Sequence, residues 1–426
     1  MPSLDDHFRA LTRVQPPVEW PELEGWEPRA PAGPPTLRRR VGVATLAFAL
    51  AGAALVLAIH AFEKSPRPTQ LASTPDGSIT VPTDAIPEGT LLVQTETGAE
   101  ILRAGSDTSS LVPGLRAPSD LSPDGSTVIG LASEAGSPAD ELVAVDLRSG
   151  EQQALVRAER GDVLGAFARW SPDGSMIAYV VGAQDPTERS TLCVVAVAPT
   201  EPDCFPDVGR VYDFDWAPDG GRLVVAGPPA QPVRILDVAT GEVSDVVPQE
   251  GDTPINDAIR EAELGTSFQL VGPTWSPSGA YLAALANLRD SRFAYVPVVL
   301  TPDGRFVALG RPSGEFPEPL AWSPVTDVLA YTRGEAPYRV TEAYLVDLAT
   351  GEERVLSRGD GADPLVITRL AWAPSGRWLV FGGWLDLGEG HFQTSFRVLE
   401  SADPTSLRQF PVATGEVTNF IVDWGP

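Results

Sequence analysis

From about residue 75 onward the chain alternates short apolar runs with tight polar turns. VLGAFARW (163–170), VYDFDW (211–216) and ITRLAW (367–372) each end on tryptophan, where a turn begins. Beyond the turn comes a second run: MIAYVV (176–181), LVVAG (223–227), YLAALA (281–286) or WLVFGG (378–383). Runs this short, rich in β-branched and aromatic residues and bounded by Gly, Pro, Asp and Ser, predict β-strands. The unit they predict is a strand–turn–strand corner.

The corner repeats. LSPDG stands at 121–125, WSPDG at 170–174, WAPDG at 216–220, WSPSG at 275–279, WSPVT at 322–326 and WAPSG at 372–376. Their first positions are separated by 49, 46, 59, 47 and 50 residues, the repeat length of propeller blades. Proline sets φ at the first central turn position, Asp caps the turn, and Gly takes the left-handed position. A second signature follows: VDLRSGE at 145–151, LDVATGE at 236–242 and VDLATGE at 346–352, with TPDGR at 301–305 in the same slot. These predict hairpin turns between third and fourth strands, so each unit holds four antiparallel strands.

Together the WSPDG and VDLATGE signatures resemble the TolB-type or WD40-like propeller repeats of bacterial envelope proteins, over roughly residues 75–426. The resemblance implies an all-β propeller and says little about a ligand. Departures are Leu121 for Trp, Ser278 and Ser375 for Asp, and Val325–Thr326 for Asp–Gly. Trp170, Trp216, Trp275, Trp322, Trp372 and Trp424 read as apolar plugs between neighbouring sheets.

The ends set the number of blades. STPDG at 73–77 lies 48 positions before LSPDG, and LLVQTETG at 91–98 matches VAVDLRSG at 143–150. The first unit is therefore expected to own strands two to four, with 417–424 supplying its inner strand. Six motifs plus this composite make seven blades, and closure leaves no exposed edge at the seam. Six blades is the alternative, if residues 73–115 are linker.

A different pattern precedes the repeats. Residues 41–62, VGVATLAFALAGAALVLAIHAF, are 22 positions without Asp, Glu, Lys or Arg. As a helix they span roughly 33 Å, enough to cross a membrane once. Arg38, Arg39 and Arg40 stand before the run, against Lys64 and Arg67 after it, which predicts a cytoplasmic N-terminus. The expected division is thus a cytoplasmic tail at 1–40, a span at 41–62, a linker at 63–77 and an extracytoplasmic propeller at 78–426. In the tail, Phe8, Leu11, Trp20, Leu23 and Trp26 form two apolar groups too small to make a core, and read as a docking segment for a cytoplasmic regulator. A short tail, one span and an exported domain are together similar to bacterial transmembrane anti-sigma proteins, without their zinc-type His/Cys signature. The regulator implied is one such as a sigma factor.

Composition narrows the chemistry. The net charge of −26 disfavours nucleic acid as a partner. Residues 1–40 carry six acids and six arginines, so the excess lies beyond them. Three histidines and two cysteines exclude a four-cysteine zinc site and leave little for a histidine-rich one. No GxSxG elbow is present, and Lys64, the sole lysine, is no part of a phosphate loop. No cofactor is implied. Cys193 and Cys204 face each other across a turn at 199–202 and are expected to form a disulfide outside the cytoplasm. Asp120, Arg169, Asp215 and Asp423 each precede a plug, and Asp213 and Arg369 lie near the same level. These six are the candidates for binding a polar or ionic ligand in a central channel. The long 216–275 spacing holds AIREAEL, a helical insertion suited to partner contacts. The preferred function is a non-catalytic scaffold or sensor that binds a protein or envelope ligand. The alternative is a hydrolase or lactonase-like propeller with a carboxylate-held metal.

Overall fold

In the computed structural model each corner opens a four-stranded antiparallel sheet, and seven such sheets form a β-propeller. Residues 82–426 are described, except 96–97, 116, 133–140, 160–161, 184–189, 198–200, 229–230, 248–252, 266–267, 289–290, 292–293, 314–319, 337–338, 359–364, 389–390 and 415–419. The chain divides into residues 1–68 and 69–426, and all that follows concerns the second unit. The span at 41–62, the tail residues Phe8, Leu11, Trp20, Leu23 and Trp26, and the turn at 73–77 lie outside the described residues. Among the described residues no helix is long and apolar enough to cross a membrane.

Blade 2 shows the common plan. Its inner strand Ala117–Leu121 leads through the corner to Thr127–Ala132, then Glu141–Asp146 and the outer Gln152–Arg157. The corner glycines Gly125, Gly174, Gly220, Gly279 and Gly376 all have φ between 68° and 72°, the region glycine alone adopts freely. Asp124 Oδ1 accepts hydrogen bonds from Ser122 Oγ at 2.7 Å and the Ser126 N–H at 3.0 Å. At WSPSG the shorter Ser278 Oγ takes the Ala280 N–H at 3.1 Å instead. Hairpins close alike: Asp146 Oδ1 accepts the Ser149 N–H at 2.7 Å.

Hydrophobic packing runs between sheets. One apolar cluster lies at each of the seven interfaces, and each plug belongs to the interface with the preceding blade. Trp170, Trp216, Trp275, Trp372 and Trp424 are buried, while Trp322 is half-buried. Leu121 takes the plug position between blades 1 and 2. The blade 5–6 cluster is the smallest, with Ala283, Val299 and Leu329 as its fully buried members. A polar network supplements it. Arg311, from the blade 5 side, pairs with Glu353 at 2.7 Å, and the Tyr331 hydroxyl donates to Glu353 at 2.5 Å. Tyr331 stacks on Tyr344 at 5.2 Å. Burial raises the Tyr331 hydroxyl far above its ordinary pKa, and the Glu353 hydrogen bond adds to this.

Two sequence expectations need correction. Thr90–Thr95 pairs directly with Phe420–Gly425, with Leu91 opposite Trp424. It is therefore the second strand of blade 1, Gly98–Arg103 is the third and Ser110–Leu111 the outer one. The TETG turn joins strands two and three, whereas the sequence match placed it between three and four. A hairpin turn has the same local chemistry in either slot, so only pairing with the distant strand fixes its place. The corner of this blade is built from two pieces of chain: the Trp424 indole donates to the Glu88 carbonyl at 2.8 Å. The second correction concerns the insertion. Its helix, Pro254–Glu261, starts earlier than AIREAEL, where Thr253 caps it and Pro254 opens it. Ile255, Ile259 and Leu264 are buried in the blade 4–5 cluster. Its apolar face is core, which leaves Asp257, Arg260 and Glu261 for the surface.

Candidate functional site

The residue before each plug sits where an inner strand turns toward its neighbour. Reading round the ring these are Asp423, Asp120, Arg169, Asp215, Thr274, Ala321 and Ala371. Blades 1 to 5 thus bring a polar arc and blades 6 and 7 a small apolar one. The charged members latch adjacent inner strands. Asp120 Oδ2 accepts the Trp170 N–H at 2.8 Å. Asp215 Oδ2 accepts the Trp275 N–H at 2.8 Å and the Thr274 hydroxyl at 2.8 Å. Asp423 Oδ1 accepts the Trp424 N–H at 2.7 Å and lies near enough to Asp120 to act on its charge. Arg169 reaches forward to Asp215 at 3.4 Å and Asp213 at 3.6 Å.

At the blade 3–4, 5–6 and 6–7 interfaces the indole makes the latch instead. Trp216, Trp322 and Trp372 donate to the carbonyls of Arg169, Thr274 and Ala321 at 3.0, 3.3 and 3.0 Å. The Trp170 and Trp275 indoles, behind Asp120 and Asp215, have no hydrogen-bond partner among the described residues. Side-chain and indole latches are therefore two solutions to one problem. Arg222 stacks over the Trp275 ring at 5.1 Å, a cation–π contact.

Titration follows this geometry. Burial, then the neighbouring Asp423, pushes Asp120 well above the usual carboxylate range. Burial likewise raises Asp423. Burial also lifts Asp215, against the opposing pull of Arg169 and the Trp275 N–H. For Arg169 burial acts to lower the pKa, and Asp215 with Asp213 outweighs it, so the guanidinium stays charged. Its side chain is 37% exposed.

Of the six proposed channel residues, Arg169, Asp213 and Asp215 are joined by ion pairs, and Asp120 and Asp423 are electrostatic neighbours. Arg369 lies on Leu365–Trp372 opposite Gly382, placed by its backbone. Cys193 and Cys204 stand opposite each other on neighbouring strands and form a disulfide with an S–S distance of 2.03 Å. Cys193 is buried and Cys204 exposed. Among the described residues no group of three or more His, Cys, Asp or Glu has the arrangement of a metal site.

The sequence reading missed two aromatic residues. Phe167 is 49% and Tyr212 51% exposed, on or beside the neighbouring inner strands of blades 3 and 4. Phe167 is turned out by a bulge: residues 165–167 stand opposite Val180 alone, between the Leu164–Val181 and Ala168–Tyr179 pairs. Both precede their plugs by three or four residues, so they lie toward the face opposite the corners. The Arg210 guanidinium lies 5.8 Å from the Tyr212 ring. Asp213, next to Tyr212, bridges to Arg169, two residues after Phe167.

No family model matches the chain, and the comparison with curated proteins finds no match. Solved structures are similar in fold. Oligogalacturonate lyase from Vibrio parahaemolyticus gives a TM-score of 0.52 at 11% identity, covering 82% of this chain and 89% of that one. TolB from Acinetobacter baumannii gives 0.43 at 13%, covering 79% and 82%. The Cps50 (Swd1) β-propeller domain from Myceliophteria thermophila gives 0.46 at 12%, covering 68% and 83%. At such identities the likeness concerns the fold alone.

Proposed function

We propose that the chain is a membrane-anchored scaffold whose propeller lies outside the cytoplasm and binds a protein partner without catalysing a reaction. The observation that carries this reading is the pair Phe167 and Tyr212, half exposed beside the Arg169–Asp213 bridge. Exposed aromatics next to an arginine are the composition of interface hot spots. Folding gives neither ring a core to fill, since plugs and clusters already close the blade 3–4 interface. The chain enters the ring at 82–89, beside the corner of blade 1.

The anchor rests on residues 41–62 and the orientation on Arg38, Arg39 and Arg40. In this reading Trp20 and Trp26 give the tail its own contact with a cytoplasmic regulator. The test is cross-linking in intact cells followed by purification of the full chain. A species captured by the wild type and by Leu111→Ser, but lost with Phe167→Ser plus Tyr212→Ser, supports the rim as the docking surface. Leu111 is the matched control, 56% exposed on the outer strand of blade 1. Equal capture by all three removes the rim from the function. Stoichiometric tight metal in the purified protein, with an activity lost on chelation, would instead favour the hydrolase reading.

A further inference from the structure

Blade 3 runs from inside to outside as Asp162–Trp170, Met176–Ala183, Ser190–Ala196 and Asp203–Phe205. Its outer strand has 3 residues, against 7 in the strand it covers. Leu192 pairs with Phe205, Cys193 with Cys204 and Val194 with Asp203. Asp203 and Cys204 are exposed. Phe205 is half-buried, and a Cβ on Gly241 in the blade 4 hairpin would stand 3.9 Å from its ring. Glu201, Asp203 and Asp207 add three carboxylates to this short stretch, none with an ion-pair partner among the described residues. So little buried apolar surface offers little against the freedom the residues lose on pairing. What holds the strand is the Cys193–Cys204 bond, whose two ends differ in access. Cys193 is 1% exposed, inside the blade 2–3 apolar cluster, whereas Cys204 is open to solvent.

We propose that the outer strand of blade 3 is a redox-released strap: a dithiol reductant opens the disulfide, and the strand peels from its blade as far as Val208. A thiolate of the dithiol attacks the exposed Cys204 Sγ, forms a mixed disulfide there and expels Cys193 as a thiolate, which takes up a proton. The dithiol's second thiolate then attacks the dithiol's own bound sulfur. Cys204 leaves as a thiolate, and the dithiol departs as an internal disulfide. Two electrons have passed to the cysteine pair, and the dithiol is oxidised.

Release stops where other contacts take over. Val208 is buried in the blade 3–4 cluster, and its carbonyl accepts a hydrogen bond from the Arg234 guanidinium at 2.8 Å. The Gln231 side chain accepts the Arg210 N–H at 3.1 Å and donates to the Arg210 carbonyl at 2.9 Å. The Val211 N–H donates to Ser190 Oγ at 2.9 Å. None of these contacts involves the cysteines, so Tyr212 keeps its place in either redox state. The change is confined to the rim of blade 3. There the backbone of 192–194 loses its outer partner and becomes an edge that an extended polypeptide segment can join.

The test is hydrogen exchange on the full chain before and after incubation with dithiothreitol in the absence of denaturant. The double variant Cys193→Ala plus Cys204→Ser is measured alongside. Dithiothreitol should make both thiols open to alkylation while the ring stays folded. Exchange at 192–194 and 203–207 should rise by about tenfold or more, while 210–213 and the blade 4 strand Arg222–Ala226 keep their protection. The double variant should show the same pattern with no dithiol present. A bond that yields to dithiothreitol only after the ring is unfolded overturns the proposal. So does a double variant whose exchange matches that of the oxidised wild type. A rise spread over every blade also overturns it, because the bond would then hold the ring and not a strap.

Discussion

Gly125 and Gly351 allow the closing strand to be tested with matched substitutions. Both have positive φ, 70° and 72°. Alanine at either costs about 1–2 kcal/mol in backbone strain. Their surroundings differ. A Cβ on Gly351 meets nothing within 4 Å, whereas a Cβ on Gly125 falls 2.3 Å from the Pro426 carbonyl oxygen. Ordinary contact lies near 3.5 Å, so Pro426 must retreat by about 1 Å. Overpacking of this kind adds about 1–3 kcal/mol. Gly125→Ala is therefore expected to cost about 2–5 kcal/mol and Gly351→Ala about 1–2 kcal/mol. Urea denaturation followed by tryptophan fluorescence gives both values. Limited proteolysis should also release the 420–426 segment earlier in Gly125→Ala alone. Equal losses, with equal protection of that segment, would mean that Gly425–Pro426 is not seated against the blade 2 corner in solution.

The remaining expectations concern latches, cross-link and turns. Asp215→Ala should destabilise by about 3 kcal/mol, since it removes two charge-assisted hydrogen bonds and leaves Arg169 with Asp213 alone. Asp215→Asn, which keeps an acceptor, should cost about 1 kcal/mol in the same denaturation assay, and equal losses would assign the effect to charge. Replacing Cys193 by Ala and Cys204 by Ser should lower stability by about 2–3 kcal/mol, given the separation of 11 residues. Intact mass before and after reduction checks the bond itself. On acidification the corners weaken. Hydrogen bonds from Ser122 and Ser126 hold Asp124 below its ordinary pKa, and those from Ser171 and Ser175 do the same for Asp173. Their stabilisation is present above the unfolded pKa and lost as pH falls through the folded one. Asp173→Asn should flatten the acid limb of the stability profile, and an unchanged limb would discount the corner carboxylates.

The seven-fold plan was legible because corners and hairpins are local. Proline, Asp and Gly at fixed offsets dictate a turn whatever surrounds them, and the 46- to 59-residue spacing repeats that instruction. The position before the plug was legible too, since alternation along an inner strand sets it one residue from a buried tryptophan. What it does was not. The nearness of Asp120 to Asp423 brings together strands far apart in the chain, and nothing local marks it. Alternation puts Phe167 on the Arg169 side of its strand, and the bulge opposite Val180 that accompanies its exposure has no marker in the sequence. Blade 1 was misassigned because TETG carries hairpin chemistry without naming its strands. The Arg311–Glu353–Tyr331 network is likewise silent in sequence, as its members have no common spacing.

The composite blade also sets an order of events at synthesis. The Trp424 indole meets a carbonyl 336 residues upstream, so the partner of Thr90–Thr95 leaves the ribosome after every other blade. Until then the nascent ring is an arc with an unpaired edge at Leu91–Val93, whose side chains are buried in the finished ring. Such an edge invites pairing with another chain. A holding chaperone at that edge, or slow elongation through the final blade, therefore bears directly on the yield of closed protein.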